Sequence, residues 1–574
     1  MFWQRCKEYQ YAIWFYMLLF CYFNFVIFKL YGFSIFPDEY SYWAYAAKMA
    51  GYDWSEITAL GSFYAWGYSL ILFPIFLICP NSLIAYRAAV ALNFIMLGLA
   101  YIIIVNILKH IGFGNNADNQ IYAAAAIFYP PVVFYAHTTM AETLLAVVYL
   151  MLIVWLIKYL KAPSFANLML LCITGIYMYL VHMRTIGILQ GLIFLLIYAE
   201  LRYRKNFKRA AAILALSITA MLAVHIVKGQ MASLFYPNVG TDLYEINTLE
   251  GQIEKIRYIF SYKGFAAFLN EICGSFLYIG ISGFGIAFWG IFCLVKRCGW
   301  QSESNCIFPV ASVVCAFVLI SALSQVIINA VYNVIPDSYD SLTYGRYQDY
   351  VMPVLIAAGM GEILQNGKGI IKYLLATGAA MLILTMIVYR YCISLKLNPM
   401  KGYFMAGMSF FRLKEFNPKS FYAMSCAIGI SIMFICGVLA VIQIRSGLKW
   451  IFMTVVIIQL LILAQLGKMY LYPFNLLARQ DIEIAQRIER LIQDCEDDRR
   501  IIYVDYNEIS AVGLLQFMLR DTEIKVYKEQ TQTLKEHLDE KSVVVLGAND
   551  PIQAQLENKY KTEVINGHFV LFYN

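Results

Sequence analysis

Charge is what this sequence lacks. Only 14% of its 574 residues are Asp, Glu, Lys or Arg, while 61% are hydrophobic and mean hydropathy is +0.63. Soluble domains carry about a quarter charged residues, so a soluble chain of this size is excluded and a polytopic membrane protein is implied. The formal net charge of +7 matters less than its distribution, and nucleic acid is not implied as a partner. None of the 13 cysteines falls in CxxC or Cys/His ligand spacing, so they read as small apolar packing groups rather than disulfides, zinc ligands or redox centres. No small-residue cleavage site follows the first apolar segment, Tyr11 to Tyr31, which is too long for a signal-peptide core and reads as a retained helix.

Long apolar runs are what the chain has in abundance. From Tyr11 to Tyr470 they recur at or near the roughly 18 residues that cross a bilayer, giving about thirteen candidate helices. Lys and Arg resist translocation and collect in cytoplasmic loops. Alternate loops here are basic: Arg5 and Lys7, Lys109, Lys158 and Lys161, Arg202 to Arg209, Lys296 and Arg297, Lys368 and Lys372, Arg445 and Lys449. The intervening loops then face outward. After Tyr470 the chain reads as soluble α/β, with an amphipathic helix on Ile482, Ala485, Ile488 and Leu491. Strands are predicted at Arg500–Val504, Glu523–Tyr527 and Val543–Leu546, helices at Ile509–Leu519 and Thr531–Leu538, and a hairpin-like end at His568–Tyr573. The turn Gly547-Ala548-Asn549-Asp550 has no phosphate-loop pattern and is given no catalytic role. The expected organisation is a membrane domain over 1–475 and a small α/β domain over 476–574, which an odd number of spans places outside.

The stretch from Phe36 to Gly51 organises the outward face. It sets Asp38 and Glu39 side by side directly after the first span, where a chain leaving the bilayer meets headgroups. Behind them Tyr42, Tyr45, Ala46 and Met49 recur at spacings of three and four, as in a helix lying in the interface. A second aromatic cluster, Phe63 to Tyr68, follows, and then Arg87, a near-membrane cation that must snorkel, pair or bind an anion. Pro130 and Pro131 break a helix before a short outward turn carrying His137 and Glu142. Helix capping explains a carboxylate at that point. His137 and Glu142, five residues apart, do not share a helical face, which weakens a metal reading. His182 and Arg184 occupy another outward turn, and Arg346 and Tyr347 a further one, with Asp337, Asp340 and Asp349 near enough in sequence for a local salt bridge. The loop 395–419 carries Lys396, Lys401, Arg412, Lys414 and Lys419 on the side where the charge rule expects few, and phosphate at the membrane surface is the matching partner. A base for an acceptor's proton, cations for a departing phosphate and a groove for a lipid tail are the needs of sugar transfer from a polyprenyl phosphate.

The order of these segments resembles a known family. Pro37-Asp38-Glu39 with its aromatic helix, Gly67-Tyr68, Tyr86-Arg87, Tyr129-Pro130-Pro131 through Glu142-Thr143-Leu144, and Gly345-Arg346-Tyr347 through Pro353 look like the GT-C fold glycosyltransferases. Within that fold the chain is most similar to the protein O-mannosyltransferase and aminoarabinose-transferase branch, over the membrane core to about Tyr470. The resemblance implies a polytopic α-helical enzyme of the bacterial cytoplasmic membrane. It would transfer one sugar, with inversion, from a polyprenyl-phosphate donor to an extracytoplasmic acceptor in the cell envelope, a glycan, lipid or protein. No cofactor is obligatory on that reading, and a divalent metal is not indicated. Asp38 would be the catalytic base with Glu39 shaping the site, Arg87 the essential arginine near the acidic pair, and Arg346 a contact to the donor phosphate. Glu142, His137, Arg184, Tyr347, Lys401 and Arg412 are the further candidates for donor or substrate contact. Trp-Trp-Asp is absent, against en bloc transfer to asparagine, and so are MIR-type repeats. A lipid or glycolipid transporter or flippase is the alternative, but no internal repeat of the kind transporters carry is evident. A third reading is a cell-wall scaffold acting through the C-terminal domain.

Overall fold

In hydrocarbon, backbone N–H and C=O groups find partners only within the protein, so apolar runs of this length must coil into helices. The computed structural model describes residues 9–573 apart from 34, 61–65, 236–248, 300–309, 366–368, 412–416, 447–449, 494–499, 505–508, 528–540, 548–551, 559 and 565–568. Among the described residues, 10 helices are long and apolar enough to cross a membrane. That is fewer than the roughly thirteen expected from sequence; Ser69–Ile78, Phe165–Val181 and Met352–Gln365 are shorter apolar helices. Side-chain caps set several helix starts: Asn81 accepts from the Ile84 amide, Asn115 from Asp118, Ser164 from Asn167 and Ser261 from Gly264. Large apolar side chains such as Trp14, Phe20, Phe25, Ile95 and Phe194 remain exposed on the bundle's outside, the surface that lipid would cover.

The acidic stretch forms the helix Asp38–Met49, entered through Pro37. Its surroundings differ from the half-exposed ones that its spacing suggested. Every residue from Glu39 to Ala47 is buried, because the helix is walled in by Ser69–Ile78 on one side and by a helix from the far end of the chain, Ile509–Met518, on another. An interfacial helix leaves a polar face to water, and this one has a protein neighbour in its place.

The chain runs from the last span into the terminal unit without a break. Trp450–Leu466 continues through a π-helical turn at Gly467–Leu471 into Tyr472–Gln493, so the position 475/476 falls inside one continuous helix. Asn475 on that helix accepts a 2.7 Å bond from the Tyr31 amide at the end of the first span. Beyond it, among the described residues, lie five strands, β1 Arg500–Val504, β2 Ile524–Tyr527, β3 Ser542–Gly547, β4 Lys561–Val564 and β5 Phe569–Tyr573. Their order is β2-β1-β3-β5-β4. β1 is parallel to β2 and β3, while β5 runs antiparallel to β3 and β4. The hairpin-like end expected over His568–Tyr573 is, among the described residues, the single strand β5, paired with β4 from before that range, and the helix expected over 531–538 lies outside the described residues. Alternate strand residues point to opposite faces. Ile501, Tyr503, Val543, Val545, Phe569 and Leu571 join the core that runs through the whole bundle, while Ile502, Val504, Val544, Leu546, Val570 and Phe572 form a second, smaller core.

Candidate active site

Successive helical residues diverge by about 100°, so adjacent Asp38 and Glu39 are sent in different directions. Asp38 meets Arg346, whose Nη1 lies 2.8 Å from Asp38 Oδ2. The Nε of Arg346 lies 2.5 Å from Glu142 Oε1, and Arg184 Nη2 reaches the same oxygen at 2.9 Å. Two carboxylates and two guanidiniums therefore alternate in one chain, Asp38–Arg346–Glu142–Arg184. Asp38 is its most accessible member, with 17% of its side chain exposed against 5% for Arg346, 3% for Glu142 and 2% for Arg184. Charges this deep persist only when paired. Burial works against the charge on Arg346, but Glu142 and Asp38 outweigh it and hold its pKa above the ordinary value. Its Nη2 and Glu142 Oε2 remain buried without a hydrogen-bond partner among the described residues. Arg184 lays its guanidinium over Tyr347 at 4.7 Å and Tyr350 at 5.5 Å, and Arg346 packs over Phe36 at 5.6 Å.

Glu39 turns inward. Its Oε2 accepts from the Thr139 amide at 2.6 Å, the Thr139 hydroxyl at 2.8 Å and the Tyr86 hydroxyl at 3.1 Å. Burial pushes its pKa up to about 7, against the pull of those donors and with a further push from Asp38. Below the arginines, Asp349 Oδ1 accepts from Tyr129 and Tyr278, each at 2.8 Å, and burial raises its pKa to about 8 in spite of both. These bonds tie the 344–351 segment to the bundle. The amides of Gly345 and Arg346 are in turn held by the Phe404 carbonyl at 3.1 and 3.3 Å.

Several expectations need correcting. Arg87 does not stand beside the acidic pair. It donates to the carbonyls of Leu30 and Phe28 at the end of the first helix, a favourable place for a cation, while Tyr86, a third of a turn away, faces Glu39. The position expected of Arg87 is filled by Arg346. Arg346 itself makes no local salt bridge: Asp349 takes the two tyrosines, and Asp340 accepts from the amides of Lys401 and Gly402 at 2.9 to 3.0 Å. Glu142 begins its helix but works as the hinge between two arginines rather than as a cap. His137 is buried between Tyr22 and Phe94 with Nδ1 against the carbonyls of Val133 and Phe134, and burial lowers its pKa to about 4. Lys401 is tied through its backbone while its side chain is exposed, and Arg412 lies outside the described residues. Among the described residues no group of three or more His, Cys, Asp or Glu is placed to hold a metal. Sequence reasoning did not foresee that Thr139 and Tyr86 hold Glu39, or that Tyr129 and Tyr278 hold Asp349, which it had offered to Arg346. The signals it had were proximity alone, Tyr86 beside Arg87 and Thr139 in the turn before Glu142.

No family model matches the sequence, and no curated protein does. Among solved structures the chain is similar to ArnT from Cupriavidus metallidurans bound to undecaprenyl phosphate, with a TM-score of 0.55, 13% identity and 98% of each chain covered. The apo state of the same protein gives a TM-score of 0.53, 15% identity and 98% of each chain covered. The likeness is one of fold, the GT-C fold that the sequence resemblance implied.

Proposed function

We propose that this chain transfers a single sugar from a polyprenyl-phosphate carrier to an acceptor, with inversion, at the end of the bundle where Asp38, Arg346, Glu142 and Arg184 meet. The observation that carries the reading is the alternating charge chain, set in a fold shared with a protein whose structure contains undecaprenyl phosphate. Asp38, the accessible end, takes the proton of the acceptor's attacking group as that group bonds to the anomeric carbon. The bond to the carrier's phosphate oxygen breaks on the opposite face, and the electron pair leaves with the phosphate. Arg346 and Arg184 neutralise the charge that collects there.

The charge distribution along the loops supports an extracytoplasmic site, and hence an acceptor in the bacterial cell envelope. Lys401, with Arg412, is the candidate for first capture of the donor's phosphate. The decisive experiment is Asp38→Asn, verified as folded and inserted, assayed with a labelled polyprenyl-phosphate sugar. Transfer is expected to fall by at least about 100-fold. A wild-type rate would show that Asp38 is not the base.

A further inference from the structure

We infer that the Ile509–Met518 helix of the terminal unit is a working part of this site: the Phe517 ring holds Trp43, Trp43 holds Thr139, and Thr139 sets Glu39. Phe517 and Trp43 are thus positioning residues for the acidic pair. The use made of Glu39 rests on the proposed transferase reading, whereas the chain of contacts does not.

Phe517 is fully buried among rings contributed by the membrane bundle, 4.8 Å between centroids from Phe33, 4.9 Å from Trp43, 6.3 Å from Phe76 and 6.4 Å from Trp54. Its carbonyl accepts from the Ser82 hydroxyl at the foot of the span that carries Tyr86. One turn earlier, and so on the same helical face, Gly513 sits so close to Tyr40 that a Cβ there would come within 2.9 Å of the ring. The two helices are therefore in direct register. A close-packed indole cannot swing without opening a void or striking a neighbour. Trp43 Nε1 donates to Thr139 Oγ1 at 3.0 Å, which aims the hydroxyl hydrogen of Thr139 at Glu39 Oε2, while the Thr139 amide reaches the same oxygen. Glu39 Oε1 is left buried with no partner among the described residues, so the carboxyl's orientation depends on what holds Oε2.

The titratable groups facing Glu39 are Asp38 on its own helix, Tyr86 on the Ser82–Ile111 helix and Tyr68 at the start of Ser69–Ile78. None lies on the terminal unit, so that unit reaches the titration of Glu39 only through intervening side chains, Trp43 and Thr139 on one path and Phe33, 4.8 Å from Phe517 and 6.0 Å from Tyr86, on another. Loosening a donor to a carboxylate raises its pKa.

The test uses the full-length protein in detergent without substrate. The infrared carbonyl band of protonated Glu39, assigned by its loss in Glu39→Gln, is titrated with pH. Phe517→Leu and Trp43→Phe should each move the midpoint upward by about one pH unit. The double variant should move it no further than the larger single one, since both act on one chain. Arg520→Gln removes a guanidinium from the carbonyls of Phe76 and Cys79 at the same seam but outside the chain, and should leave the midpoint in place. Phe517→Met, which fills the volume without a ring, serves if Phe517→Leu does not insert. In the same variants kcat should fall about tenfold with the donor KM within about twofold. A midpoint unmoved by Phe517→Leu or Phe517→Met overturns the inference, as does an equal shift in Arg520→Gln, which would mean general loosening of the seam. An unchanged kcat overturns it too. Because the titration is read without substrate, its result is independent of Asp38→Asn.

Discussion

Arg346 serves two carboxylates at once, Nη1 on Asp38 and Nε on Glu142. A planar guanidinium can do this in a single rotamer, and a lysine ammonium at the same point would have to choose. Glu39 has the opposite arrangement, with three donors on one oxygen and no cation on it. Its folded pKa of about 7 stands above the ordinary 4.5. Below 4.5 folded and unfolded chains both hold the proton, and the group's contribution to stability is fully present. As pH rises from there through about 7 the unfolded chain gives up its proton first, and that contribution is lost. Asp349, raised from 3.8 to about 8, acts in the same direction over a wider window. Thermal unfolding in detergent, followed by tryptophan fluorescence, should therefore shift to lower temperature as pH rises from 4.5 through 8, and Glu39→Gln should flatten part of that slope. A stability that rose with pH across the window would contradict the placement of both carboxyls. Little of this was legible in sequence. The acidic pair was, because two carboxylates following an apolar span are conspicuous, but the partners of Arg346 lie 308 and 204 residues away in the chain. Periodicity carries no information about such pairs.

The loop 344–351 owes its shape to one glycine. A Cβ on Gly345 would lie 1.9 Å from Cζ of Tyr278, and the ring cannot retreat without pulling its hydroxyl from Asp349. Either the tyrosine or the loop must move, and Arg346 is the next residue along. Gly345→Ala should leave the protein inserted but lower transfer by at least about tenfold, read as initial rates against wild type. Equal rates would mean that the loop can yield without carrying Arg346 away. Gly345-Arg346-Tyr347 was legible as a unit, whereas the direction of each side chain was not. Asp349 looked like the local partner of Arg346 because it is three residues on, yet the turn sends the two side chains to different neighbours. At Arg87 the error was a single residue, a third of a helical turn, which is enough to exchange the site for the end of the first helix.

At the scale of the whole molecule, a change of composition after Tyr470 suggested two domains, and composition did locate the strands. It could not show that one face of the sheet belongs to the bundle's own core, because which face of a strand is covered depends on residues hundreds of positions away. Packing of this extent should outlast a broken backbone. A specific protease site introduced between Gln493 and Arg500 should, once cut, leave both pieces eluting together on size exclusion in detergent. A terminal piece eluting alone would mean that the seam does not hold by itself. The pairing of Tyr40 with Gly513, and of Trp54 with Arg520, 466 residues later, also bears on biosynthesis. The segment bearing the acidic pair leaves the ribosome well ahead of the helix that completes its surroundings, since Trp54 and Arg520 are 466 residues apart. A chain interrupted between the two therefore holds an unfinished centre, and competence arrives only once the later helix has been made.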